Sequence, residues 1–120
     1  MKTNPSVTPG AAIPDWYKSY MGKWQDTTDD LNDLTISINE DDTFTLEVGI
    51  FRVTTIDATA RIEGDNLIHF YGNAEGDGSI VNGILSMGNN SILFVVTRSD
   101  FEYLSAGLYV NFSIKADNGA

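Results

Sequence analysis

The chain has 120 residues, 42% hydrophobic and 11% aromatic: enough for one core, too few for two domains, and too apolar for disorder along most of its length. Seven Lys and Arg stand against seventeen Asp and Glu, a formal net charge of −10, which repels nucleic-acid phosphates and anionic lipid surfaces and otherwise serves solubility. There is no cysteine, so disulfides, thiolate metal ligands and cysteine nucleophiles drop out, and no apolar run approaches the roughly 18 residues that cross a bilayer.

From the start of the chain, "MKTNPSVTPGAAIPDW" lacks the apolar centre of a secretory leader and holds all three prolines, Pro5, Pro9 and Pro14, among Thr, Ser and Gly. This is linker composition. The expectation is a tail or linker over residues 1–13, joining the domain to an upstream signal or lipid anchor, and hence an extracytoplasmic setting. Residues 14–116 form the domain and 117–120 a short tail. "PDWYKSY" suits one helical turn, with Pro14 at a first helical position, and a short strand follows around Trp24.

From Leu34 the pattern has period two between turn residues. "LTISI" sets Leu34, Ile36 and Ile38 on one face, and after "NEDD" the stretch "TFTLEVG" does the same with Phe44, Leu46 and Val48. "VTTIDATARIE" alternates Ile56, Ala58, Ala60 and Ile62 with Thr55, Asp57, Thr59 and Arg61; "GDN" is a hairpin turn by composition. "LIHFYGN" points Ile68 and Phe70 one way and Leu67, His69 and Tyr71 the other. "SIVNGILSM" and "SILFVVT" flank a "GNN" turn and are apolar on both faces, which implies a covered outer side. "GLYVNFSIKA" closes the series with Leu108, Val110, Phe112 and Ile114 inward. Eight sequential antiparallel strands with short links predict an all-β, up-and-down barrel, because closure removes both sheet edges. A two-sheet sandwich is the alternative, although its crossovers usually need longer links.

Gly22-Lys23-Trp24, after a short helical turn and at the start of the first strand, resembles the Gly-x-Trp signature of lipocalins and of the wider calycin group. The resemblance implies a lipocalin-like barrel in which the glycine lets the chain turn under the closed end and Trp24 packs across the floor. Lys115, at the end of the last strand, stands where that family places an Arg over the indole. The layout likeness covers residues 14–116. The family's C-terminal helix, its disulfide and its later loop motif have no counterpart here, so the expected form is a minimal, bacterial one.

Candidates for chemistry are few. His69 is the only histidine, on the outer face, without the second His or Cys that a histidine metal site would recruit; it reads as a sheet-face residue and not a catalytic one. "GDGS" sits between strands, so it is no nucleophile elbow, and "GNAEGDG" lacks the Lys and helix of a phosphate loop. Asp29, Asp30 and Asp33, and Glu40, Asp41 and Asp42, lack the spaced ligands of a calcium loop and read as solvated turns. No catalytic residue, metal site or cofactor is expected.

The leading functional expectation is a non-catalytic extracytoplasmic domain that binds a small apolar ligand inside the barrel. Phe44, Leu46, Ile56, Phe70, Phe94, Val110 and Phe112 would line the site, with Ile84 and Leu108 among the further inward residues. Arg52 and Arg98 stand at the mouth, where they could meet an anionic head group or make surface pairs. The alternative is a barrel filled by its own side chains, serving as a structural or protein-interaction module of a larger exported protein. Either the N-terminal segment or a partner would cover the 79–97 face, where Val81, Leu85, Met87, Leu93 and Val95 are expected to point outward.

Overall fold

A computed structural model of the chain describes residues 13, 15–26, 32–50, 53–64 and 66–115, with backbone alone at 15, 16, 114 and 115. A 3₁₀ helix, Asp15–Tyr20, precedes β1 (Gly22–Asp26), β2 (Asp33–Ile38), β3 (Phe44–Ile50), β4 (Thr54–Gly64), β5 (Leu67–Ala74), β6 (Ile80–Gly88), β7 (Ser91–Ser99) and β8 (Tyr109–Lys115). Each strand pairs antiparallel with the next, and β8 returns to pair with β1, so the sheet closes as an up-and-down barrel. The all-β, eight-stranded closed order expected from the period-two pattern is the order found. The expected tails, 1–13 and 117–120, lie outside the described residues apart from Ile13, which packs against the core.

Alternation explains why this sequence closes. Every strand puts one set of side chains inside, and the register lines these up in rows around the wall. One row runs Phe44, Ala60, Phe70, Gly83, Val96; a second runs Leu46, Ala58, Gly72, Val81. Large and small residues therefore face each other across neighbouring strands, the arrangement that lets a narrow barrel be filled without clash. A Cβ added at Gly83 would lie 2.0 Å from the Val95 carbonyl oxygen and 2.7 Å from Phe70 Cζ. The Phe70 ring thus occupies the volume that a larger residue at 83 would take.

The turns follow from residue type as well. Asp42, Asn66 and Asn90 adopt positive φ of 65°, 57° and 58°, the left-handed conformation that Asn and Asp tolerate best after Gly. Gly22 has φ 116° as the chain leaves the 3₁₀ helix and enters β1. That angle favours glycine over any residue with a Cβ, which accounts for the first letter of the Gly-x-Trp motif.

Gly83→Ala is expected to cost about 3 kcal/mol, read as a lower urea midpoint at unchanged denaturant slope. Wild-type stability in that variant would mean that β6 can slide away from Phe70 and that the row is not tightly packed.

Candidate functional site

The seven expected lining residues all face the interior. Phe44, Ile56, Phe70, Phe94 and Phe112 have no exposed surface, and Leu46 and Val110 are buried. Phe70 and Phe94 stack with centroids 5.2 Å apart, and Phe94 meets Phe112 edge-on at 6.4 Å. Aromatic pairs in these geometries contribute beyond the area they bury. The middle of the barrel is therefore occupied by rings in mutual contact.

One end of the barrel is closed by the 3₁₀ helix. Tyr17 is fully buried, its ring 5.8 Å from that of Phe44, and its hydroxyl donates to the Gly64 carbonyl at 3.4 Å. The Tyr20 hydroxyl donates to the Gly88 carbonyl at 2.5 Å. Two aromatic side chains on one helical turn thus bond to the hairpins at both sides of the opening. Trp24 is 3% exposed; its indole N–H donates to the Tyr20 carbonyl at 2.9 Å, and its ring stacks on Tyr20 at 6.2 Å. Gly22 opens β1 and Trp24 lies two residues further along it. Lys115 is opposite Trp24 in the β1–β8 register, while its side chain, and so the expected contact with the indole, lies outside the description.

At the other end, the segment after β7 folds back. Gly107 N–H donates to the Val96 carbonyl at 2.7 Å, and Val96 N–H to the Leu108 carbonyl at 2.9 Å. This brings Leu104 into the core cluster, with Phe101 and Leu108 packed against it. Arg98 lies at this end and pairs with Asp100 at 3.1 Å, both side chains well exposed. It makes the surface pair. Arg52 lies outside the described residues. Asp26 is the one buried charged residue among those described; its carboxylate accepts from the Asn32 amide at 2.8 Å.

Two expectations need correction. Val81, Leu85 and Met87 point into the barrel and are buried, not outward. Ile84 takes the outer face, half-buried, opposite His69 and Val95. The reason is Gly83: it sits at an inward position between Val81 and Leu85, and without a side chain it hides the inward alternation. Asn82 and Ser86, the polar partners at outward positions, were the available signal. Leu108 lies partly buried at the barrel's end, before β8 begins. Tyr17 and Leu104, which close the two ends, escaped sequence reading because neither lies on a strand.

The outer surface divides by charge. On β3 to β5 the outward positions include Glu47, Asp57, Arg61 and Glu63, with Glu47 directly opposite Asp57. His69 lies there too, its Nδ1 3.1 Å from the Tyr71 hydroxyl. On β6, β7 and β8 the outward positions from Ile80 to Thr97, and again Tyr109, Asn111 and Ser113, carry no charge. Leu93 and Ile80 are 37% exposed there and Tyr109 69%. Among the described residues no three His, Cys, Asp or Glu converge as metal ligands, and no helix is long and apolar enough to cross a membrane.

Comparison with family models, with curated proteins and with solved structures gives no significant match. The likeness to lipocalins therefore rests on architecture: a closed eight-stranded up-and-down barrel entered through one 3₁₀ turn is compatible with that fold.

Trp24→Ala is expected to cost about 3 to 5 kcal/mol in urea unfolding, and a loss near zero would show that the indole does not hold the end closed. A second outcome concerns the β2–β3 turn, where the Thr43 hydroxyl (2.5 Å) and amide (3.2 Å) donate to Asp41. The hydroxyl bond, then the amide bond, holds the Asp41 carboxyl below its ordinary value. A depressed folded value means that this contribution is present above the unfolded value and lost as pH falls through the folded one. An NMR titration should place Asp41 lower in the wild type than in Thr43→Val; equal midpoints would remove the bond's role.

Proposed function

We propose that the chain is a non-catalytic, lipocalin-like binding module that engages a partner protein through the outer face of β6, β7 and β8, its interior serving as a core. The reading extends to an extracytoplasmic setting, supported by the linker-like composition of residues 1–13. The observation that carries it is the lack of charge at the described outward positions of that face from Ile80 to Thr97 and at Tyr109, Asn111 and Ser113, with the Arg98–Asp100 pair at its edge, in a chain with seven basic and seventeen acidic residues. Interface centres are depleted in charge and enriched in tyrosine, and Tyr109, Leu93, Val95 and Ile84 meet that description. Elsewhere the acidic surface favours solvent and repels acidic proteins.

The alternative is a small apolar guest inside the barrel. It would have to part Phe70 from Phe94, or displace Tyr17 or Leu104 from the ends, and each of these moves exposes apolar surface. The partner reading requires no rearrangement of the barrel, and for that reason it stands first.

The two readings separate in one set of measurements on protein purified from its native source. Crosslinking and affinity capture should recover a stoichiometric partner with the wild type and with Glu47→Gln, and lose it with Leu93→Asp/Tyr109→Asp, a change of about 2 kcal/mol or more in affinity. Thermal unfolding should be unchanged in these exposed-site variants. A stoichiometric small molecule released on denaturation, with capture indifferent to the double substitution, would overturn the proposal in favour of the interior ligand.

A further inference from the structure

The closed end carries a cleft of about 440 Å³ between the 3₁₀ helix and the β6–β7 hairpin, lined by Ser19, Tyr20, Trp24, Asn89, Asn90 and Ser113. Its size falls in the range of small-molecule sites, roughly 300 to 1,000 Å³. Among the described residues none of the lining side chains is charged, on a molecule whose net charge is −10. Burial pushes the Tyr20 phenol above its ordinary value, so it stays neutral near physiological pH.

The wall is built in advance. The Tyr20 ring is held by its hydroxyl bond to Gly88 and backed by the Trp24 ring in a near-parallel stack, 21° between planes. Trp24 spends its indole N–H on the Tyr20 carbonyl, which locks the pair together. Across from them, Asn89 and Asn90 form the exposed tip of the hairpin. Among the described residues neither carboxamide has a hydrogen-bond partner. Each offers two donors and an acceptor, and both stand on a turn fixed by the Gly88 to Ser91 pairing and by Asn90 at φ 58°.

Chemistry narrows the guest by elimination. An anion would meet a strongly acidic molecule with no basic side chain among the described lining residues. A cation would find no carboxylate among the described lining residues. A purely apolar guest would cover the Asn carboxamides and leave them unpaired. A neutral ring bearing many hydroxyls satisfies all three conditions: its hydroxyls donate to and accept from the carboxamides, and its C–H face packs on the phenol ring. We propose that this cleft is a binding site for a neutral saccharide. The site is separate from the β6–β8 face and does not depend on the partner reading.

The test is a titration of the ¹⁵N-labelled full chain with glucose, galactose, N-acetylglucosamine and their β-linked disaccharides, followed by NMR. The expected result is saturable shifts of the Asn89 and Asn90 side-chain amides and of the Trp24 indole N–H for at least one sugar, with Kd on the order of 1 mM. Asn90→Gly keeps the positive φ accessible, and together with Asn89→Ala it should weaken binding about tenfold at unchanged thermal stability. Leu93→Asp/Tyr109→Asp should leave the titration as it is. The proposal is overturned if no sugar moves these signals up to about 20 mM, a concentration far above such a Kd. It is equally overturned if the double Asn variant binds as the wild type does, or if inorganic phosphate produces the same shifts as the sugars.

Discussion

Pairing of β1 with β8 is the constraint on which the rest of this molecule depends. Until Trp24 meets Lys115 in register, eight strands form a sheet with two unpaired edges, each a row of amides and carbonyls open to association. Closure satisfies those groups and at the same time forces every inward side chain into one narrow space. Only a wall that alternates large and small residues can accept this. Phe44, Ala60, Phe70 and Gly83 follow one another around the barrel for that reason, and the register shifts at Asn82/Gly83, beside Phe70, and at Gln25/Asp26, in the closing strand pair.

Closing the sheet leaves two ends, and the chain deals with them differently. At one, Tyr17, Tyr20 and Trp24 form an aromatic lid tied by hydroxyl and indole hydrogen bonds to backbone carbonyls. At the other, a loop carries Leu104 into the core. With both ends closed in this way, the proposed function assigns the interior to structure and recognition to the outer surface. There a charged face on β3 to β5 contrasts with described outward positions on β6 to β8 that carry no charge from Ile80 to Thr97, the asymmetry on which the proposed binding role rests. The same uncharged chemistry continues around the hairpin tip to the cleft beside Tyr20.

Much of this was legible in the residues. Strict alternation in "TFTLEVG" and "DATARIE" set the faces of β3 and β4, because polar residues marked one side without ambiguity. Gly22 and Trp24 were readable from their spacing ahead of the strands. The face of β6 was not, since a glycine stands at an inward position and isoleucines at outward ones, and hydrophobicity alone then points both ways. Only register, with Gly83 beneath Phe70, resolves it. The lid and the Leu104 loop were hidden for another reason: a residue off the strands is placed by tertiary packing, which no period reports. The cleft draws its walls from the helix, β1, a hairpin tip and β8, so no single stretch of sequence could display it.

A barrel interior packed as a core, in place of a vessel, leaves no room for a guest among its rings. Xenon enters dry apolar cavities within folded proteins and is seen directly by anomalous diffraction. A crystal of this protein held under xenon pressure should show no ordered xenon among Phe44, Phe70, Phe94 and Phe112. A well-occupied xenon site between those rings would contradict a packed core and return the interior to the role of a binding pocket.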